Sequence, residues 1–271
     1  MNLRKSQQIF SKVPFNAKSN VDNPFHKLIL HPKNVAHTRA DKQLGNPTPI
    51  ALAGFLISLS QLSCDFMGFR GAGTSGAAAT ASYIIFGGVL QLLGGVLEWS
   101  LGHTFSSVVF CTFGAFYLST GLDFIPSLNS WGSFAPDGSP AVAGLANPAY
   151  NASAGFFPLW MGVLCFVYMV AALRTNICFV VIFFFLVVGL CLKTASVWLL
   201  AIDYTGYSDP AKRLNTATGA MFFVSAMVGW YVWTSAILAA VDFPMQIPIG
   251  DLSHVIRGRS ETREKSESSK A

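Results

Sequence analysis

Residues 177–202 read ICFVVIFFFLVVGLCLKTASVWLLAI, a run that carries a single charge, Lys193. About 20 largely apolar residues suffice for an α-helix to cross the hydrocarbon core of a bilayer. A helix apolar on every side has no solvated face to offer a water-soluble domain. This stretch therefore predicts a membrane span. Working outward, five more stretches meet the same requirement, at roughly 48–68, 81–101, 104–125, 154–173 and 216–241. Six spans give an all-α membrane protein.

The composition agrees. Of 271 residues, 52% are apolar and 11% charged, less than half the charge of an ordinary soluble domain. Disordered, collagenous and disulfide-scaffold classes are excluded on the same ground. The five cysteines, Cys64, Cys111, Cys165, Cys178 and Cys191, form no C-x-x-C pair and lie in or beside apolar runs. They are expected to be buried, inert thiols, with no metal and no cofactor. No nucleophile and base set or phosphate loop suggests an enzyme, so no catalytic residues are assigned.

Three segments follow. Residues 1–45 and 252–271 are basic polar tails expected to be disordered, and 46–251 hold the six spans. No removable signal peptide is read at the start, and serines beside arginines in the second tail are candidate kinase targets. The net charge of +5 suits a membrane surface better than nucleic acid, because the tails hold most of the basic residues. Eight lie in the first tail and five in the second, with Arg174 between the fourth and fifth spans. The other side has Arg70, Lys212 and Arg213. The positive-inside bias then puts both termini in the cytoplasm. It also puts the long loop 126–153 outside, where Asn151-Ala152-Ser153 forms a glycosylation sequon.

The second span, FGGVLQLLGGVLEWSLGH over 86–103, repeats its glycines at about seven residues. That spacing is two helical turns, so the glycines are expected to form one groove for a neighbouring backbone. Gln91 and Glu98, also seven apart, fall on or beside this stripe. They read either as structural hydrogen-bonding groups or as groups facing a pathway. In the third span Thr104, Ser107, Cys111 and Gly114 make a small-residue face, and Phe110, Phe113 and Tyr117 an aromatic ridge. Lys193 would snorkel, pair with an acid such as Glu98, or attract anions. In GNPTPIALAGF, Asn46 stands where an N-cap belongs and Pro47 in the first turn. That helix end is expected to offer free N–H groups to carboxylates.

The run NPTPIAL at 46–52 resembles the N-P-A-P-L-G-L signature of the acetate uptake transporter family (YaaH type) of bacteria and fungi. The resemblance continues through GGVLQLLGGVLEWSLGHTFSSVVFCTFGAFYLS and reappears at Ile247 to Gly250. It implies a six-helix protomer in a homohexamer, each subunit with its own pore for acetate and other short carboxylates moved with protons across the plasma membrane. It also implies a constriction of Phe, Tyr and Leu, falling on Phe55, on Phe113, and on Lys193 or Leu192. His103 replaces an Asn of the family pattern. The expected path takes a carboxylate from Asn46 and His103 past Thr104 and Gln91 to Phe55 and Phe113, with Glu98 coupling the proton. The rival expectations are a channel for ammonia or undissociated acid and a non-transporting carboxylate sensor. The partners expected are the carboxylate, protons, lipid and further copies of the chain.

Overall fold

The structure is a computed structural model, and it describes residues 45–252. The expectations for the two tails, including phosphorylation, lie outside those residues. Six helices are long and apolar enough to cross a membrane: α1 Thr48–Met67, α2 Gly76–Ser100, α3 Thr104–Asp123, α4 Pro148–Ala172, α5 Ile177–Ile202 and α6 Ser208–Ala240. Consecutive helices run up and down. The most extensive pairs are α2 with α3, α5 with α6, α4 with α5, α1 with α2, and α1 with α6.

The second, fourth and sixth helices begin earlier than the sequence reading, and the long connector is not wholly a loop. The sixth helix begins at Ser208, so Lys212 and Arg213 stand in its first turns rather than in a loop. The fourth begins at Pro148, with Asn147 accepting a hydrogen bond from Ala149 N at its start. The connector between α3 and α4 contains 3₁₀ turns at Pro126–Leu128, Gly132–Phe134 and Ala141–Ala146. Apolar periodicity finds the part of a helix that lipid touches, and these polar first turns project beyond it.

Small residues let the helices meet. A Cβ on Gly94 would lie 2.6 Å from Ala51 Cβ and 2.8 Å from Ala51 N of α1. One on Gly95 would lie 2.7 Å from Cys111 Sγ and 3.0 Å from Cys111 N of α3. Gly87 and Gly88 divide similarly, towards Ser58 and Tyr117 and towards Leu118. The single groove expected from the seven-residue repeat is thus two grooves, because adjacent helical residues point about 100° apart. Gly94 meets α1 and Gly95 meets α3, while Gly87 lies against both Ser58 of α1 and Tyr117 of α3, and Gly88 against Leu118 of α3. The stretch that carries the first pair, Tyr83–Leu90, is wound as a π-helix.

At the other seam, α3 meets α4 and α5 through long side chains. Phe105 packs on Tyr168 and Phe183, Phe116 on Phe157, and Thr112 Oγ1 shares a 3.0 Å hydrogen bond with Tyr168 Oη. The IPIG stretch returns over the turn between α4 and α5. Ile177 N donates to Gly250 O, Leu252 N to Thr175 O, and Tyr231 Oη to Pro248 O. The Asp203 carboxylate accepts from Thr205 N and Gly206 N in the α5–α6 turn, which holds it below the usual carboxylate range. Outward faces stay apolar, as with Ile85, Val89, Leu93 and Val96 along α2. Among the cysteines, Cys165 and Cys178 are buried while Cys191 is exposed on such a face, so the expectation of burial holds only in part.

Candidate transport pathway

One face of α1 carries the site. Thr48, Phe55 and Phe66 are all buried and lie within one narrow stripe of the helix. Each touches a different group of functional residues.

At the Thr48 end, Glu98 of α2 is completely buried. Thr48 Oγ1 donates to its Oε1, and His103 Nδ1 lies 2.6 Å from its Oε2. This carboxylate therefore joins α1, α2 and the first residue before α3. A buried carboxylate is tolerable only when hydrogen-bonded or paired, and here the threonine and the imidazole meet that requirement. Asn46 Oδ1 accepts from Thr48 N at 3.0 Å, but the helix begins at Thr48 with Pro47 at its N-cap position, one residue later than expected.

The expected free N–H groups at this helix end are not there. Pro47 and Pro49 have no N–H, Thr48 N is taken by Asn46, and Ile50 N donates to Pro47 O. The two prolines remove the donors that an anion would need. Thr104, placed on the path by sequence, is exposed at the start of α3, and Glu98 is bonded by Thr48 and His103 instead.

Midway, Phe55 packs edge-on against Phe113, with ring centroids 5.3 Å apart, and against Tyr117 at 6.3 Å. All three are buried, and Tyr83 stacks behind Tyr117 at 6.0 Å. Edge-to-face pairs of this kind add roughly 0.5–1.5 kcal/mol each beyond area burial. Phe113 lacks a hydroxyl, but Tyr117 presents one a single turn further along the same helix. Gln91 lies beside this group, its backbone against Gly54 of α1 and its side chain fully buried.

At the Met67 end, Lys193 Nζ donates to Asn215 Oδ1 of α6 at 2.8 Å and sits 4.5 Å above the ring of Phe66. Phe66 is eleven residues beyond Phe55, about 16 Å along the helix axis. Lys193 therefore does not stand at the constriction, and it does not pair with Glu98, which is held at the opposite end. The register of α5 explains the difference. Phe183 touches Phe105 near the start of α3, and Phe113 lies eight residues further up, which brings Leu190 to its level. Leu190 is buried and shares a face with Phe183 and Leu186, whereas Leu192 is only half-buried.

Asn215 and Phe66 were not singled out from sequence. An asparagine seven residues into a helix gives no local signal for a partner on another helix. Asn151 is also used differently from its sequon. It is buried, and its Nδ2 donates to Leu145 O at 2.7 Å and Asn147 O at 3.1 Å. The nitrogen that would carry a glycan is occupied inside the fold. Among the described residues no group of three or more His, Cys, Asp or Glu could hold a metal.

Sequence comparison adds to this geometry. The GPR1/FUN34/yaaH family matches residues 29–254. Protein alcS of Aspergillus fumigatus is 39% identical over 229 residues, 84% of this chain and 83% of that protein. Acetate transporter protein patA of Penicillium expansum is 29% identical over 220 residues, covering 78% and 80% of the two chains. Ammonia transport outward protein 2 of Saccharomyces cerevisiae is 27% identical over 189 residues, covering 70% and 60%. The solved structure of the bacterial acetate channel SatP aligns with 77% of this chain and 100% of its own, at a TM-score of 0.57 and 23% identity. That likeness is one of fold.

Proposed function

The chain belongs to the GPR1/FUN34/yaaH family, a family of transporters and not of enzymes, and from that premise we propose that it carries acetate and related short carboxylates, together with protons, across the plasma membrane. The observation that supports this reading is the order of groups along α1. A hydrogen-bonded acid, an aromatic constriction and a lysine occur in succession at Thr48, Phe55 and Phe66.

The lysine draws the anion. Only one of its three N–H donors is used by Asn215, so the others are available to a carboxylate. Phe66 and the apolar wall beyond it accept the short alkyl group. Phe55, Phe113 and Leu190 then form an apolar ring that excludes hydrated ions and passes the small acid in a less charged form. Glu98 takes the proton on the far side, where a carboxyl joined to a histidine can hold or release one. By the positive-inside bias the Thr48 end faces the cytoplasm, with both tails. Further copies of the chain cover the apolar outer faces of α2 and α4, in the hexamer that the family resemblance implies.

Uptake of radiolabelled acetate into proteoliposomes, at several pH values and with competing acids, tests the reading. Saturable uptake that rises with an inward proton gradient and is competed by short carboxylates is the expected result. The apolar ring also suits a neutral species. Flux of ammonia, or acetate entry insensitive to a proton uncoupler and to voltage, would replace coupled transport with a channel for neutral molecules. Loss of a cellular carboxylate response on deleting both tails, with no flux in liposomes, would make the protein a sensor.

A further inference from the structure

The seam of α3 with α4 and α5 differs from the other helix contacts. Elsewhere glycines bring backbones together, as Gly94 does against Ala51 N, Gly95 against Cys111 N and Gly219 against Ser63 O. The glycines of α3 itself, Gly114 and Gly121, face Leu92 and Ile84 of α2. Those of α4, Gly155 and Gly162, face Trp198 and Leu190 of α5. Neither α3 nor α4 offers the other a side-chain-free surface, so side chains fill the seam between them. A side chain that bridges a gap can leave it by changing rotamer, whereas backbone packed on backbone has no such freedom.

On either side of this seam the helices are tied to one another. Glu98 joins α1, α2 and the start of α3 through Thr48 and His103. The 247–252 stretch ties the α4–α5 turn to α6, with Ile177 N donating to Gly250 O and Ser235 Oγ to Ile247 O. The two groups share the α1–α6 contact, where Trp230 Nε1 donates to Ser60 Oγ at 2.9 Å. Among the described residues, the hydrogen bond that crosses the α3 seam is the 3.0 Å contact of Thr112 Oγ1 with Tyr168 Oη. Beside it Phe105, Tyr168 and Phe183 form a triangle, with ring centroids 6.1, 6.5 and 5.7 Å apart. Phe183 shares a face of α5 with Leu190, seven residues and about 10 Å further along. That face is one wall of the constriction, so the triangle stands on the same path, nearer the Thr48 end. Cys165 lies between the two levels. It is fully buried and shares the inner stripe of α4 with Gly162, which meets Leu190, and with Tyr168.

We propose that Phe105, Tyr168 and Phe183 form a second gate on the substrate path, latched by the Thr112–Tyr168 hydrogen bond and opened when α3 parts from α4 and α5. The tied groups move as units about the α1–α6 contact, which leaves the Glu98 cluster and the 247–252 stretch intact. Opening exchanges the Tyr168 hydroxyl's bond with Thr112 for one with water or the passing carboxylate. Thr112 Oγ1 also donates to Val108 O at 2.9 Å and Val109 O at 3.0 Å, so it keeps a partner in either state. A latch whose two ends both find other partners is easily released and remade. This inference rests on the transport reading above and needs no proton coupling.

The full-length protein in liposomes provides the test. Exchange of labelled acetate, at equal pH and concentration on both sides, gives a maximal rate and a half-saturating concentration. Labelling of the native Cys165 by N-ethylmaleimide, read by peptide mass, reports whether the space between the two barriers opens. Thr112→Val and Tyr168→Phe each remove the latch from one side while keeping the side-chain shape. Each is expected to raise Cys165 labelling and the maximal exchange rate by about fivefold at unchanged half-saturation. The double variant is expected to do no more than either alone, since both act on one bond. Unchanged Cys165 labelling in both variants overturns the gate. A lowered exchange rate together with a lowered melting temperature in both marks the triangle as packing and also overturns it. If one variant does not fold, the other decides alone. Wild-type protein that exchanges acetate, with rate and labelling unmoved by either substitution, overturns the gate and leaves transport standing. Wild-type protein that exchanges no acetate, while both variants still raise Cys165 labelling, overturns the substrate reading and supports the opening seam.

Discussion

The two ends of the α1 stripe solve the same problem in opposite ways. At the Thr48 end a buried acid is matched by two partners from other elements, and the cluster closes on itself. At the Met67 end a lysine is held by one neutral amide and an aromatic face, with donors to spare. A closed cluster suits a group that must store and release a proton without attracting ions. An incompletely matched cation suits brief capture of an anion, since tight pairing with a protein carboxylate would exclude it.

The sharpest attempt to break this contrast is Glu98→Gln. It keeps a hydrogen-bonding side chain but removes the acid, and proton-driven acetate uptake is expected to fall by about tenfold, the factor that 1.4 kcal/mol represents. Retained pH-driven uptake would remove Glu98 from coupling. Phe113→Ala opens the region between the ends. Entry of longer monocarboxylates is expected to rise about fivefold as selectivity loosens, and unchanged competition by longer acids would show that the ring does not gate.

Asn215→Leu takes away the polar partner that Lys193 has among the described residues. It should destabilise the protein by about 1–3 kcal/mol, visible as a lower melting temperature in detergent, because a buried donor loses its acceptor. Lys193→Leu should do the reverse to stability, since a lysine at membrane depth costs roughly 2.5–3.5 kcal/mol on insertion scales. Its KM for acetate is expected to rise about threefold, and an unchanged KM would mean that the lysine only snorkels. The smallest effect is predicted for His103→Asn. Uptake at the best pH should change by less than about twofold, while the pH profile loses one ionisation, because Thr48 still holds Glu98. A profile identical to wild type would reduce His103 to a spacer.

Residues 177–202 were legible to the last position as one helix, because lipid leaves an unmixed apolar signal. The polar first turns of α4 and α6 were not, since nothing in their composition separates a helical turn from a loop. In the site, Glu98 and Gln91 were recognisable as polar residues on or beside a glycine stripe, and the family resemblance singled out Phe55 and Phe113, whose rings the structure brings into contact. The place of Lys193 was not, because a gap-free count along α5 cannot supply the register between α5 and α3.

The sequence alone determined the six membrane spans, the glycine spacing that brings α1, α2 and α3 together, and the few polar side chains that lipid would otherwise reject. Those features follow from local chemistry, the energy of each residue in hydrocarbon. The tertiary structure decided which polar groups meet: Glu98 with Thr48 and His103, and Lys193 with Asn215. Such pairings join residues up to 50 positions apart, and they depend on helix rotation and register, which only packing of the whole bundle fixes.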